Sequence, residues 1–251
     1  MRLQKTIQFM KNHLTKLALV VAVTSLLIAS CSKEETKKQN QAALRPSAPE
    51  NNDVQIGTQV WMKRNLNVSR YRNGDPIPQV GSLNQWVALT TGAWCYYANN
   101  TANGLVYGKL YNWYAVNDPR GLAPVGYHIP KDFEWSRLTT YLGGLNIAGG
   151  KMKAVDPQLW TNLSGNIGAT NSSGFTGLPG GVRVGGSLDP DRGTFLAINI
   201  SGYWWSSTAS NATEGRFIWL RNGNSAEINS SEKTNGYSVR CLKGEYIVTP
   251  H

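Results

Sequence analysis

The chain carries 251 residues and a formal net charge of +10, from 25 Lys and Arg against 15 Asp and Glu. Arg2, Lys5, Lys11 and Lys16 fall in residues 1–30 with no acid among them, and segment 32–53 is neutral, so the remainder is only modestly basic. Its Lys and Arg are dispersed, which excludes the basic stripe of a nucleic-acid binder, and its one histidine before the last residue, His128, excludes zinc sites built on several His or on Cys with His.

Residues 1–30 read as an export signal. The basic start is followed by an apolar run, Leu17-Ala18-Leu19-Val20-Val21-Ala22-Val23, and then by small residues, and the run is too short for a comfortable membrane span. Ile28-Ala29-Ser30-Cys31 resembles a lipobox, where Cys31 becomes the lipidated N-terminus; an ordinary signal with a chance Cys is the alternative. Segment 31–53 then reads as a tether, because it has too little apolar material to offset its ordering entropy. Its opening, Lys33-Glu34-Glu35, resembles the signal that sends some lipoproteins to the outer face of the outer membrane.

A single domain is expected over 54–245, with a tail over 246–251. Val54 to Met62 alternates around Gly57-Thr58 and predicts a hairpin. Asn73-Gly74-Asp75-Pro76 predicts a turn, and Trp94-Cys95-Tyr96-Tyr97 a buried strand. Leu105, Tyr107, Leu110, Tyr111, Tyr114 and Val116 recur at spacings that predict a first helix. A second is predicted over 131–142, with Pro130 before it, Asp132 and Glu134 in its first turn, Trp135, Leu138 and Leu142 on one face, and Gly143-Gly144 as the stop. Short strands follow at Gly174-Phe175-Thr176-Gly177-Leu178, Tyr203-Trp204-Trp205-Ser206, Arg216-Phe217-Ile218-Trp219-Leu220 and Tyr237-Ser238-Val239-Arg240-Cys241-Leu242. Two main helices with short, mostly antiparallel strands and long Gly/Asn-rich loops predict an α+β domain.

Candidate chemistry is sparse. His128 reads as a structural residue at the turn before the second helix, although a Ser-His-Asp arrangement would have to use it. Asp132 and Glu134, two residues apart on a helix, face apart. Asp189-Pro190-Asp191-Arg192-Gly193 is the only close acid pair in a loop and lacks the ligand count of a calcium loop. No cofactor is therefore expected, calcium at Asp189 and Asp191 being the alternative left open. Gly180-Gly181 and Gly185-Gly186 lack the Lys-Ser/Thr of a phosphate loop. Cys95 and Cys241 are either bridged, as an exported domain permits, or buried and unpaired. Trp61, Trp113, Trp135 and Trp204 read as core, whereas Trp86 and Trp219, set among polar residues, read as surface.

Several stretches, in order, resemble the Fibrobacter succinogenes major paralogous domain family. They are Ile56-Gly57-Thr58-Gln59-Val60-Trp61-Met62 with Asn65-Leu66, Tyr107-Gly108-Lys109-Leu110-Tyr111-Asn112-Trp113, Pro124-Val125-Gly126-Tyr127-His128-Ile129-Pro130 with Glu134-Trp135, Ala148-Gly149-Gly150-Lys151, Gly174-Phe175 with Leu178-Pro179-Gly180-Gly181, Trp204-Trp205-Ser206-Ser207-Thr208, and Ser238-Val239-Arg240-Cys241. The resemblance implies an exported, often lipid-anchored protein and no defined activity. A weaker likeness extends to the C-type lectin-like fold of formylglycine-generating enzymes, whose paired reactive cysteines and lectin calcium motifs are not matched. Taken together, a lipid-anchored, non-catalytic recognition module for a glycan or surface protein is expected. Its contact surface is expected over 183–193 and 219–224, with Arg183, Asp189, Asp191, Arg192, Trp219, Arg221 and Asn222. A structural envelope or fibre component without ligand, and an enzyme using His128 with Glu134 or Asp132, are the alternatives.

Overall fold

The computed structural model describes residues 52–156, 158–160, 168–186 and 190–244. The expected signal, Cys31, most of the tether, Asp189 and the tail lie outside them. The alternation around Gly57-Thr58 folds as a hairpin of β1 (Asp53–Ile56) and β2 (Gln59–Met62), with Val54 opposite Trp61. The Asn73-Gly74 turn also forms, closed by the Gly74 N–H donating to the Tyr71 carbonyl at 2.9 Å. A short helix follows, α1 (Leu83–Val87), whose buried face is Trp86.

The next segment departs from the periodic reading. In place of one helix over 105–116 the chain forms β3 (Trp94–Cys95), α2 (Thr101–Tyr107), β4 (Leu110–Tyr111) and α3 (Trp113–Val116). Gly108 ends α2 at φ +76, a left-handed position where a Cβ would press on the Leu66 carbonyl, so the helix cannot continue. The Asn112 side chain then caps α3, accepting from the Ala115 N–H at 3.0 Å. Tyr111 is left extended opposite Trp94, and the strand beginning at Trp94 stops at Cys95.

Pro130 and the two acids set the next helix as predicted. After β5 (Tyr127–His128) comes α4 (Asp132–Tyr141), in which the Glu134 carboxylate accepts the Lys131 N–H at 2.9 Å. Trp135 and Leu138 are buried, as is Leu142 just beyond. α5 (Leu145–Met152) is a helix that the sequence does not predict, and it carries Gly149-Gly150 in its interior. The remaining strands are β6 (Gly180–Arg183), β7 (Phe195–Ile198), β8 (Gly202–Ala209), β9 (Glu214–Leu220), β10 (Ala226–Glu232) and β11 (Leu242–Lys243). The stretch expected as a strand at Gly174 to Leu178 is a turn, and only Gly177 makes a bridge, to Lys153. Residues 236–238 form single bridges before the chain pairs as β11.

The result is an α+β fold of small, antiparallel sheets, ordered β1-β2-β11-β5, β10-β9-β8, β3-β4 and β6-β7. The β10-β9-β8 sheet divides the core. Trp205 and Phe217 pack on one side with Tyr111, Trp113, Tyr237 and Cys241; Trp204, Ile218 and Leu220 pack on the other with Trp61, Trp135, Trp160 and Phe175. Burial on both faces explains why β8 and β9 read as runs of large apolar residues. The indoles also fasten loops: Trp94, Trp113 and Trp205 donate to the carbonyls of Ile77, Ser206 and Tyr111 at 2.9, 2.9 and 2.8 Å.

The cysteine alternatives resolve toward unpaired thiols. Cys95 and Cys241 are both free and fully buried, and each fills a different cluster, Cys95 with Trp86 and Leu110, Cys241 with the Tyr111 group. Burial pushes the Cys95 thiol up to about 11 and the Cys241 thiol up to about 12, so neither is a reactive thiolate near neutral pH.

Candidate functional site

A groove of about 570 Å³ opens between the segment that follows β2 and helix α2. That is within the range of about 300–1,000 Å³ common for ligand sites. One wall carries Lys63, Arg64, Asn67 and Val68, the other Leu105 and Val106, and Pro124, Leu159 and Leu178 complete the rim. Leu105 is 87 % exposed and Val106 47 % exposed, although the periodicity of the sequence places Leu105 on a buried helix face. Lys63 and Arg64 are exposed and make no ion pair among the described residues.

The groove floor is held by a buried network. The Asn65 side-chain oxygen, Oδ1, accepts from the Trp204 indole at 2.8 Å and from the Arg240 guanidinium at 2.8 and 3.2 Å. Its amide donates to the Tyr107 carbonyl at 2.9 Å and to the Ser238 hydroxyl at 3.2 Å. Arg240 is fully buried, lies 4.4 Å over the Phe175 ring, and also donates to the Met62 and Phe175 carbonyls at 3.0 and 2.6 Å. Beside it, the buried Lys109 ammonium lies 4.2 Å over Trp94 and donates to the Asn67 carbonyl and side-chain oxygen at 2.8 and 3.0 Å. Burial pulls Lys109 down to about 8 and Arg240 down to about 9, values that leave both charged at neutral pH. Neither has a carboxylate partner; each is stabilised by a ring face and by carbonyl oxygens.

The residues expected to form a contact surface differ in exposure. Arg183 is 1 % exposed, not a surface residue: its guanidinium lies between Trp86 and Phe195 and donates to the Val80 and Gly81 carbonyls at 2.6 and 2.8 Å. Trp86 is likewise fully buried, with its indole donating to the Thr234 carbonyl at 2.9 Å, because a ring with one polar handle fits a core site whose rim is polar. Trp219 is half-buried and stacks on Tyr203 at 5.6 Å, with Arg221 4.5 Å over its other neighbourhood and paired to Glu227 at 2.9 Å. Asp191, Arg192 and Asn222 are exposed, and Asp189 lies outside the described residues. Arg183 belongs to the β6-β7 sheet and Trp219 to the β10-β9-β8 sheet. Trp61, Trp113, Trp135 and Trp204 are core, as read.

His128 is committed on both sides. Its Nδ1 lies 2.6 Å from the Gly244 carbonyl and its Nε2 lies 2.9 Å from a Glu134 carboxylate oxygen. Both partners are acceptors, so only the imidazolium satisfies both, by donating twice. Burial opposes that charge, but the Glu134 carboxylate and the Gly244 carbonyl outweigh it and raise the His128 pKa above its ordinary value. A base in a nucleophilic triad needs one ring nitrogen facing the nucleophile. The nearby Ser207 hydroxyl instead donates to the Ile129 carbonyl at 2.9 Å. Asp132 faces away from Glu134, toward Arg216 at 3.4 Å. Among the described residues no three His, Cys, Asp or Glu side chains gather to hold a metal ion. No helix among them is long and apolar enough to cross a membrane.

Fold and site together define an α+β domain that supports a preformed groove of aliphatic, amide and cationic groups. Residues 54–243 match the model of the Fibrobacter succinogenes major domain, and the chain belongs to that family. No curated protein and no solved structure is significantly similar to it.

Proposed function

We propose that this protein is an exported lipoprotein, anchored through Cys31 at the outer membrane, whose domain is a non-catalytic recognition module for a glycan or protein. Its binding surface is the groove between Lys63–Val68 and α2, in place of the loops suggested by sequence. The observation that carries this reading is the pairing of an exposed aliphatic ledge, Leu105 and Val106, with a floor locked by Asn65, Arg240 and Trp204. A locked floor lowers the ordering cost of binding. Among the described residues, none that lines the groove carries a carboxylate, imidazole or thiol, so this lining offers contacts without general acid–base partners. For the enzyme alternative, His128 would first have to leave Glu134 or Gly244.

A C-type lectin-like arrangement is the finer fold reading. It is supported by helix α4, which begins at Asp132 after His128-Ile129-Pro130 and carries Glu134-Trp135 in its first turn, and by short antiparallel strands joined through long loops. The test of function uses the full-length Cys31→Ser chain, freed of its anchor, on isolated cell envelopes. Saturable binding is expected, and the exposed substitution Leu105→Lys is expected to abolish it while circular dichroism stays unchanged. Equal binding by the Leu105→Lys variant would move the recognition surface away from the groove, and no binding by either would remove the recognition reading.

A further inference from the structure

The electrostatics of the groove are one-sided. Lys63 and Arg64 stand at its rim, and the Lys109 and Arg240 charges lie directly behind its floor, on Asn67 and on Asn65 and Met62 respectively. No acid lines it among the described residues; the Asp156 carboxylate, on the turn leading to Leu159, accepts the Gln158 N–H at 2.8 Å. Buried cations without counter-charges leave a positive potential, and a low-dielectric wall focuses it into the adjoining cleft. The complementary ligand is therefore anionic.

The shape and lining select among anions. No aromatic ring lines the groove among the described residues, which therefore give no platform for the apolar face of a sugar. It offers aliphatic contacts at Leu66, Val68, Leu105, Val106 and Leu178. Residues 65–68 belong to no helix or strand, and the backbone N–H of Asn67 has no acceptor in the chain among the described residues. A peptide offers a carbonyl acceptor at every residue for such a donor, together with side chains for the charged and aliphatic contacts.

Building on the proposed recognition role, we infer that the groove takes an extended peptide segment in which Asp or Glu alternates with aliphatic residues. The carboxylates meet Lys63 and Arg64, the aliphatic side chains meet the Leu105–Val106 ledge, and a peptide carbonyl meets the Asn67 N–H. Period-two alternation of the ligand follows from extended geometry, because successive side chains point to opposite sides.

The inference is tested with the full-length Cys31→Ser chain and a bead library of short random peptides. Enrichment of Asp and Glu at alternate positions is expected, by about fivefold per exposed charge pair. The double reversal Lys63→Glu with Arg64→Glu, at two exposed positions, is expected to cancel that enrichment and to select Lys and Arg instead. Acid preference that survives the reversal, or peptides enriched without acid preference, would overturn the ligand class. Saturable oligogalacturonate binding with no peptide enriched would overturn it in favour of an acidic glycan. In each of those outcomes, loss of envelope binding in Leu105→Lys would still stand as support for the recognition role, so the two ideas fail separately.

Discussion

Arg240 is the residue on which the groove floor depends, and its worth follows from what its loss would orphan. Removing the guanidinium leaves the Asn65 side-chain oxygen and the Met62 and Phe175 carbonyls short of a donor in a dry site. Arg240→Met is expected to lower stability by about 3 kcal/mol or more, read as a shift in the urea midpoint. Arg240→Lys should recover little, since one ammonium cannot reproduce the planar fork. His128 gives a prediction of opposite kind. A folded-state pKa raised above the unfolded value of about 6.5 stabilises fully below that value and progressively less as pH rises through the folded one. The wild-type denaturation midpoint should therefore fall relative to that of His128→Asn as pH rises from mildly acidic to mildly alkaline; parallel profiles would contradict the charged His128–Glu134 pair. The two cysteines complete this scale. With Cys31 replaced by Ser, both Cys95 and Cys241 should resist iodoacetamide in the native state and react on unfolding, and reductant should leave the melting temperature unchanged.

Among the elements, α5 shows tertiary packing overriding propensity. Glycine in a helix interior costs about 1 kcal/mol relative to alanine, so Gly149→Ala would stabilise an isolated helix. Here a Cβ on Gly149 meets the Ser225 carbonyl, and one on Gly150 meets the Gly168 carbonyl, because α5 lies against the backbone of the loop before β10 and against the backbone at Gly168. Gly149→Ala is therefore expected to destabilise by about 1–3 kcal/mol, measured by denaturant titration. The same contact explains why the helix was illegible: two glycines that signal a turn in isolation are there to admit a neighbouring chain. The interrupted segment from α2 to α3 teaches the converse. Leu105 is exposed while Tyr107 is buried, because two residues on one helix point to nearly opposite sides, and Gly108 ends the helix before the buried Leu110.

For the whole molecule, the expected anchor and the folded domain make separable predictions. Cys31→Ser should release the protein from membranes without altering its circular dichroism or its melting temperature; persistence in the membrane pellet would contradict the anchor. The domain has two core regions divided by the β10-β9-β8 sheet, and the buried cations Lys109, Arg183, Lys233 and Arg240 each sit over an aromatic ring while donating to loop carbonyls. Many of the tryptophans and tyrosines that look like a ligand platform in the sequence are spent in this way, as lids on buried charge and as ties on loops.

The sequence by itself determined the hairpin at Val54 to Met62, helix α4, the α+β class and the family, because each rests on short-range signals: alternation, a proline with first-turn acids, and ordered motifs. It also determined that His128 stands at the turn before α4. Only the tertiary structure decided that Arg183 and Trp86 are buried, that the thiols are unpaired, and that Lys63, Arg64, Asn67, Leu105 and Val106 share one groove. Those residues come from segments far apart in the chain, and their juxtaposition is set by Arg240 and Trp204 meeting at Asn65. A contact between a residue near one end of the domain and one near the other leaves no local pattern to read.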